Sequence, residues 1–287
     1  MKSVISIGNQ DFISIRKNNC FYIDKTDFIR EWWENQDSVT LITRPRRFGK
    51  TLNMSMTEYF FSVNYSDMGQ YFKELSIWKE ERFREIQGTY PVISLSFADI
   101  KATTYESARM SIIRKLVRLY SAFDFIRSSE ALNEKDRTYF DSVGEDMSDD
   151  AAAVGINYMS DYLSRYYGKK VIILLDEYDT PLQEAYVHGY WEELTAFIRS
   201  LFNSTFKTNP YMERGLLTGI TRVSKESIFS DLNNLEVVTT TSEKYSTSFG
   251  FTEEEVFTVL ENAGIPEEKE HVRYWYDGFS FGNRKDI

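Results

Sequence analysis

Residues Arg44-Pro45-Arg46-Arg47-Phe48-Gly49-Lys50-Thr51 place three arginines and a Gly-Lys-Thr triplet directly after the apolar run Val39-Thr40-Leu41-Ile42. A helical stretch, Leu52 to Phe61, follows. A strand, a tight turn and a helix in that order aim backbone N–H groups and the positive end of the helix dipole at one point, where a polyphosphate can sit. The expected phosphate-binding stretch runs from Arg44 through Leu52. Within it Lys50 reaches the β- and γ-phosphates and the Thr51 hydroxyl holds Mg²⁺. Arg44 stands where the strict G-x-x-x-x-G-K-[ST] pattern has its first glycine. Taken alone, Gly-Lys-Thr is equally compatible with an ordinary turn.

A second motif favours the phosphate reading. Val171-Ile172-Ile173-Leu174-Leu175 reads as a central strand covered on both faces, and it ends in Asp176-Glu177. Carboxylates at the carboxyl end of a buried strand are costly unless they serve a cation or a water. Beside a phosphate loop, Asp176 would bind Mg²⁺ through water and Glu177 would polarise the attacking water.

Positioning these groups takes a sizeable α/β core, and 287 residues with 42% apolar side chains suffice for one. The 16% aromatic content is read as interior packing. A single cysteine, Cys20, excludes a disulfide framework, and the two histidines, His188 and His271, lack zinc spacing. The first residues lack the pattern of a signal peptide, and no apolar run is long enough for a membrane span. The expectation is a cytoplasmic protein with no membrane partner. A net charge of −10 supplies no broad attraction for nucleic acid. Positive charge gathers instead at Arg44, Arg46, Arg47 and Lys50, around the expected triphosphate. A loop has room for one of Arg46 and Arg47 on phosphate, leaving the other for a partner.

Around the loop, the pattern predicts a helix over 27–34 with Phe28, Ile29 and Trp32 on one side, capped by Thr26 or Asp27. It predicts a strand over 91–97, a helix within 104–127, a helix near 156–166 and another over 191–206. A strand over 215–220 precedes Thr221-Arg222. Residues 128–150, with eight acidic side chains, read as a solvated insertion or a mobile loop. Strands alternating with helices imply a mostly parallel sheet with ligands at the carboxyl ends of its strands, where Lys50, Asp176 and Arg222 all fall. Arg222 is the candidate sensor of the γ-phosphate, with a surface ion pair as the alternative. Tyr178 and Asp179 read as packing and helix-cap residues. Thr252 and Glu255 form a capping-box start for a small helical subdomain. The expected division is an ATPase core over 1–248 and the start of a helical lid or linker over 249–287, which ends after an aromatic cluster, Tyr274 to Phe281, as if a longer protein continued. The cluster is expected to pack on the helical subdomain, leaving ATP binding to the upstream core.

Several segments together resemble the bacterial predicted AAA-ATPase-like proteins. They are Phe21 to Thr26, Thr43 to Thr51, Leu175 to Asp179, Leu217 to Arg222, Phe249 to Thr252 and Tyr276 to Phe279. The loop is the most specific mark, and in that family the first glycine is ordinarily missing. The resemblance implies a three-layer P-loop NTPase sandwich with an extra strand between the loop strand and the Asp-Glu strand. It implies ATP and Mg²⁺ as cofactors, with Lys50, Glu177 and Arg222 as the catalytic set and Thr51 and Asp176 on the metal. Members commonly continue into a restriction-endonuclease-like nuclease domain, through which alone nucleic acid would be met; homo-oligomers are a further expectation. Two other readings stand beside the ATPase. One is a nucleotide-binding regulatory module with little turnover, against which Glu177 argues; the other is a nucleic-acid-binding module without ATP chemistry.

Overall fold

The computed structural model describes residues 4–221, 228–229, 231–276 and 278–286. Its frame is a sheet of β1 (Val39–Thr43), β2 (Val92–Ser96), β3 (Val171–Asp176), β4 (Met212–Gly219) and β5 (Leu235–Val238). The order is β2-β3-β4-β1-β5, and every pairing is parallel. Parallel neighbours need long crossovers, which helices supply. The strand expected over 215–220 is therefore the one inserted between the loop strand and the Asp-Glu strand, and the strand expected over 91–97 lies outside β3. The short β5, which carries Glu236 in its four residues, was not expected.

The apolar run of β3 is explained by burial on both sides. Val171, Ile173 and Leu175 face one core, while Ile172 and Leu174 face the other. Helices α1 (Phe12–Lys17), α2 (Asp27–Asn35), α3 (Lys50–Phe61) and α4 (Glu81–Ile86) cover the second core with Phe12, Phe28, Trp32, Phe60 and Phe83. The first core lies under α5 (Tyr105–Ala122), α6 (Glu134–Asp141), α7 (Asp149–Ala153), α8 (Gly155–Tyr167), α9 (Thr180–His188) and α10 (Trp191–Phe202). Two helical layers thus sandwich the sheet, as in P-loop NTPases. The helix expected to run to 206 is α-helical only to Phe202, with a π turn over Asn203–Lys207.

Two local expectations need correction. The acidic stretch 128–150 is folded: Leu132, Phe140 and Met147 reach the core. Its acids meet arginines of neighbouring helices, Asp136 with Arg165 at 2.9 Å, Glu145 with Arg114 at 2.9 Å, and Asp141 and Asp149 with Arg127 and Arg109. The excess charge is matched in space by bases that lie elsewhere in sequence. Thr26 precedes α2 without a side-chain cap bond. Its hydroxyl instead donates to Asp24 Oδ1 at 2.7 Å and accepts from the Ile77 N–H at 3.2 Å, which locks the chain before α2 to residues 76–77.

Beyond the sheet, α11 (Glu253–Ala263) begins with the expected capping box between Thr252 and Glu255. The helix α12 (Lys269–Tyr276) follows. Lys25, nearly buried, donates to both Glu255 carboxylate oxygens at 2.6 and 2.7 Å and to Thr247 O at 2.8 Å. This pair ties the start of the chain to the C-terminal helices.

Candidate nucleotide site

The site forms where β1, β3 and β4 end side by side. β1 delivers the chain to Arg44, and α3 begins at Lys50 with Gly49 as its cap at φ +76°, a conformation that favours glycine. Lys50 is almost fully buried. Its Nζ donates to Arg44 O at 2.9 Å and Pro45 O at 2.8 Å, so the amine closes the turn that precedes it. Burial lowers the Lys50 pKa below the lysine range, against the opposing pull of Asp176, Glu177 and Asp179.

Thr51, one residue into α3, donates its hydroxyl to Asp176 Oδ2 at 2.7 Å. The other carboxylate oxygen, Oδ1, accepts from Thr218 Oγ1 and from the Glu177 N–H. Asp176 is nearly buried and held from three sides. Mg²⁺ is characteristically bound by one or two protein oxygens together with phosphate and water. The Thr51 hydroxyl and Asp176 carboxylate, hard oxygens in direct contact beside the loop, are a donor set that fits it. Among the described residues no cluster of three or more His, Cys, Asp or Glu offers a fuller protein cage.

Glu177 adopts φ +51°. A left-handed conformation outside glycine costs roughly 1–2 kcal/mol, and such strain concentrates at functional sites. Here it turns the chain sharply at the end of β3. The side chain is half-buried and accepts from Thr180 Oγ1 at 3.1 Å, at the start of α9.

The arginines part company. Arg46 and Arg47 are exposed on the loop, Arg47 at φ +70°. The Arg44 side chain is fully buried and leaves the loop for residues 245–281. Its guanidinium is committed there, so only the backbone of Arg44 remains with the loop. Phe48 and Leu52 are partly buried against the second core. Arg222 lies outside the described residues.

Two contributions were not anticipated. Thr218, the last polar side chain of β4, holds Asp176; a threonine directly after the apolar pair Leu216-Leu217, at the ligand end of the strand, was the available signal. Asp179 precedes α9 without a side-chain cap bond. Its Oδ2 instead accepts from the N–H groups of Ile220 and Thr221, at 3.0 and 2.8 Å, and from the Thr221 hydroxyl at 2.8 Å. Tyr178 OH donates to Thr221 O at 2.8 Å. Asp179 and Tyr178 thus latch the exit of β4 to the turn after β3. A Cβ on Gly219 would meet Tyr178 at 2.6 Å and Asp179 Oδ1 at 2.8 Å, so the latch requires glycine there.

No helix among the described residues is long and apolar enough to cross a membrane. Comparison with known proteins agrees with this geometry. An uncharacterized protein in the vnfD 5'region of Azotobacter chroococcum mcd 1 is 27% identical over 282 residues, which covers 96% of this chain. The chain spans 48% of that relative's length. No solved structure matches. The family model described as Predicted AAA-ATPase matches residues 6–229, from before α1 to beyond β4. With that match covering most of its length, the chain belongs to this AAA-ATPase-like family.

Proposed function

We propose that this chain is a Mg²⁺-dependent ATPase domain that switches or drives an attached effector. The observation that carries the reading is the contact of Thr51 Oγ1 with Asp176 Oδ2 at 2.7 Å, which joins the phosphate loop to the Asp-Glu strand. Lys50 would exchange its two loop carbonyls for phosphate oxygens and follow the charge that develops on the transferred phosphoryl group. Thr51 and Asp176 would hold Mg²⁺, which supplies charge neutralisation across the phosphates. Glu177 would take the proton of the attacking water. The backbone from Arg44 to Leu52 would cradle the phosphates, with Arg46 and Arg47 exposed beside it. Arg222 is proposed as the γ-phosphate sensor because it follows β4.

Residues 1–248 are taken as the catalytic core and 249–287 as the start of a lid or linker. A nuclease-like effector, assembly into homo-oligomers and a cytoplasmic setting belong to the same proposal and rest on the family resemblance. The deciding experiment is ATP turnover with and without Mg²⁺ in the parent, Lys50→Ala and Glu177→Gln. Turnover that is Mg²⁺-dependent and lost in both variants supports the reading.

A regulatory module with little turnover is the second reading. It draws on the Lys50 bonds to Arg44 O and Pro45 O, because phosphate must compete with these carbonyls for the amine. Tight Mg-ATP binding by the parent, with turnover no faster than in Glu177→Gln, would favour it.

A further inference from the structure

The arginine that replaces the first glycine of the loop has a structural counterpart at the other end of the chain. Arg44 is fully buried, yet among the described residues no carboxylate meets it. Its Nη1 donates to Thr43 O at 3.0 Å and its Nη2 to Tyr245 O at 3.4 Å, while Nε has no hydrogen-bond partner among the described residues. Burial alone pushes its pKa down to about 10. The guanidinium carbon stands 4.6 Å from the ring centre of Phe281 and 5.5 Å from that of Phe249. These aromatic faces offset part of the cost of a buried cation.

The same rings grip the middle of the loop. Phe48 meets Phe279 edge-on at 4.7 Å and Phe281 at 5.3 Å. The Phe48 carbonyl accepts from the Gly250 N–H at 3.2 Å, and just past the loop Asn53 Nδ2 donates to Ser248 O at 2.8 Å. Phe281 is itself fully buried and anchored. Its N–H donates to Arg284 O at 2.9 Å, and the neighbouring Gly282 N–H donates to Thr240 O at 2.9 Å. Tyr274, Trp275 and Tyr276 stay exposed, so the aromatic cluster expected to pack together on the helical subdomain is divided. Its last two rings pack on the phosphate loop.

We propose that Phe279 and Phe281 are positioning residues of the nucleotide site. By clamping Arg44 and Phe48 they set the path of a loop that lacks its first glycine, and they thereby set its affinity for a nucleoside triphosphate. They act through the loop and touch no reacting atom, so they govern binding and KM more than kcat. The inference rests on the ATPase reading and deepens it.

The test titrates a fluorescent ATP analogue with Mg²⁺ into the full chain and follows steady-state hydrolysis. Phe281→Leu should weaken binding about tenfold and Phe279→Ala about threefold, with KM rising alongside and kcat little changed. The double variant Arg44→Met/Phe281→Leu should lose less affinity than the two single losses combined, because the changes share the Arg44–Phe281 contact while the Phe48–Phe281 contact is lost only with the ring. Ile126→Val, in the opposite core, should leave affinity at the parent value. Parent-like affinity in Phe279→Ala overturns the proposal even if Phe281→Leu fails to fold. Additive losses in the double variant, or a fall in kcat at constant KM, also overturn it. If the parent and Lys50→Ala bind ATP equally, the phosphate-loop reading fails, and it fails independently of the rings.

Discussion

Thr51 and Asp176 lie 125 positions apart in the chain, and the hydroxyl of one donates to the carboxylate of the other at 2.7 Å. The first lies in the opening turn of α3 and the second ends β3, so this bond joins two segments distant in sequence at one point. Thr51→Val keeps the side chain's shape and removes the hydroxyl. It should abolish the gain in ATP affinity that Mg²⁺ confers while leaving Mg²⁺-free binding near the parent value. Paired titrations with and without the metal, or in excess chelator, read this directly.

Glu177→Gln should hold ATP and Mg²⁺ as the parent does while turnover falls about 10²-fold or more, the usual loss when general-base assistance is removed. Single-turnover hydrolysis beside equilibrium binding separates the two effects. Turnover at the parent rate would leave Glu177 a purely structural role at its left-handed turn.

ATP affinity should decline on the alkaline side. In the proposed role phosphate binds the protonated Lys50 amine, and burial lowers its pKa from the ordinary 10.5, so the protonated fraction is lost as pH rises through that lowered value. Titrations between pH 7 and the alkaline limit of folding should show the decline beginning below the ordinary lysine range. Lys50→Arg, if it binds, should remove this limb. A limb that persists in Lys50→Arg would identify Arg44, which burial brings to about 10.

The latch at the exit of β4 predicts a coupling variant. Asp179→Ala strips Ile220, Thr221 and Gln183 of their shared acceptor. These donors are half-buried or exposed and can turn to water, so each lost bond to the carboxylate costs about 1 kcal/mol, toward the low end for hydrogen bonds. Thermal unfolding should show a clear loss of stability, and turnover should fall further than ATP binding because the turn carrying Glu177 loses its anchor. Unchanged kcat in a folded Asp179→Ala protein would confine Asp179 to structure.

Lys25→Met should destabilise the fold by about 1.5–3 kcal/mol, the range for hydrogen bonds to a charged group. The substitution leaves Glu255 without the amine that spans both its oxygens. Denaturant unfolding measures the loss, and Glu255→Gln should reproduce part of it, since the amide can still accept from Lys25.

Much of the site was legible because local rules and tertiary demands coincide there. The run from Val171 to Leu175 has one stable use, as a strand buried on both faces, and Gly49 with Lys50, set between an apolar strand and a helical stretch, marks the start of a helix. The resemblance implied an extra strand between the loop strand and the Asp-Glu strand, but the full order could not come from periodicity, since pairing Val39 with Gly215 leaves no trace in either segment. The fate of Arg44 was equally hidden. A basic cluster next to a phosphate loop suggests four cations around one anion, yet Arg44 satisfies packing with Phe281 and Tyr245 O from the far end of the chain. The acidic stretch 128–150 misled for the same reason, because its arginine partners lie on helices outside it. Short elements such as β5 carry too few residues for any pattern.

The sheet order also bears on how the chain acquires its site during synthesis. β2 and β3 can pair as soon as both have emerged, but β1, made early, finds its two neighbours only in residues 215–219 and 235–238. Until then the loop strand has no edge to join, and the loop keeps its backbone donors in water. The loop, translated before β2, β3, β4 and β5, is therefore among the last parts of the sheet edge to be assembled. A ribosome-bound chain shorter than β4 has no competent loop with which to engage nucleotide.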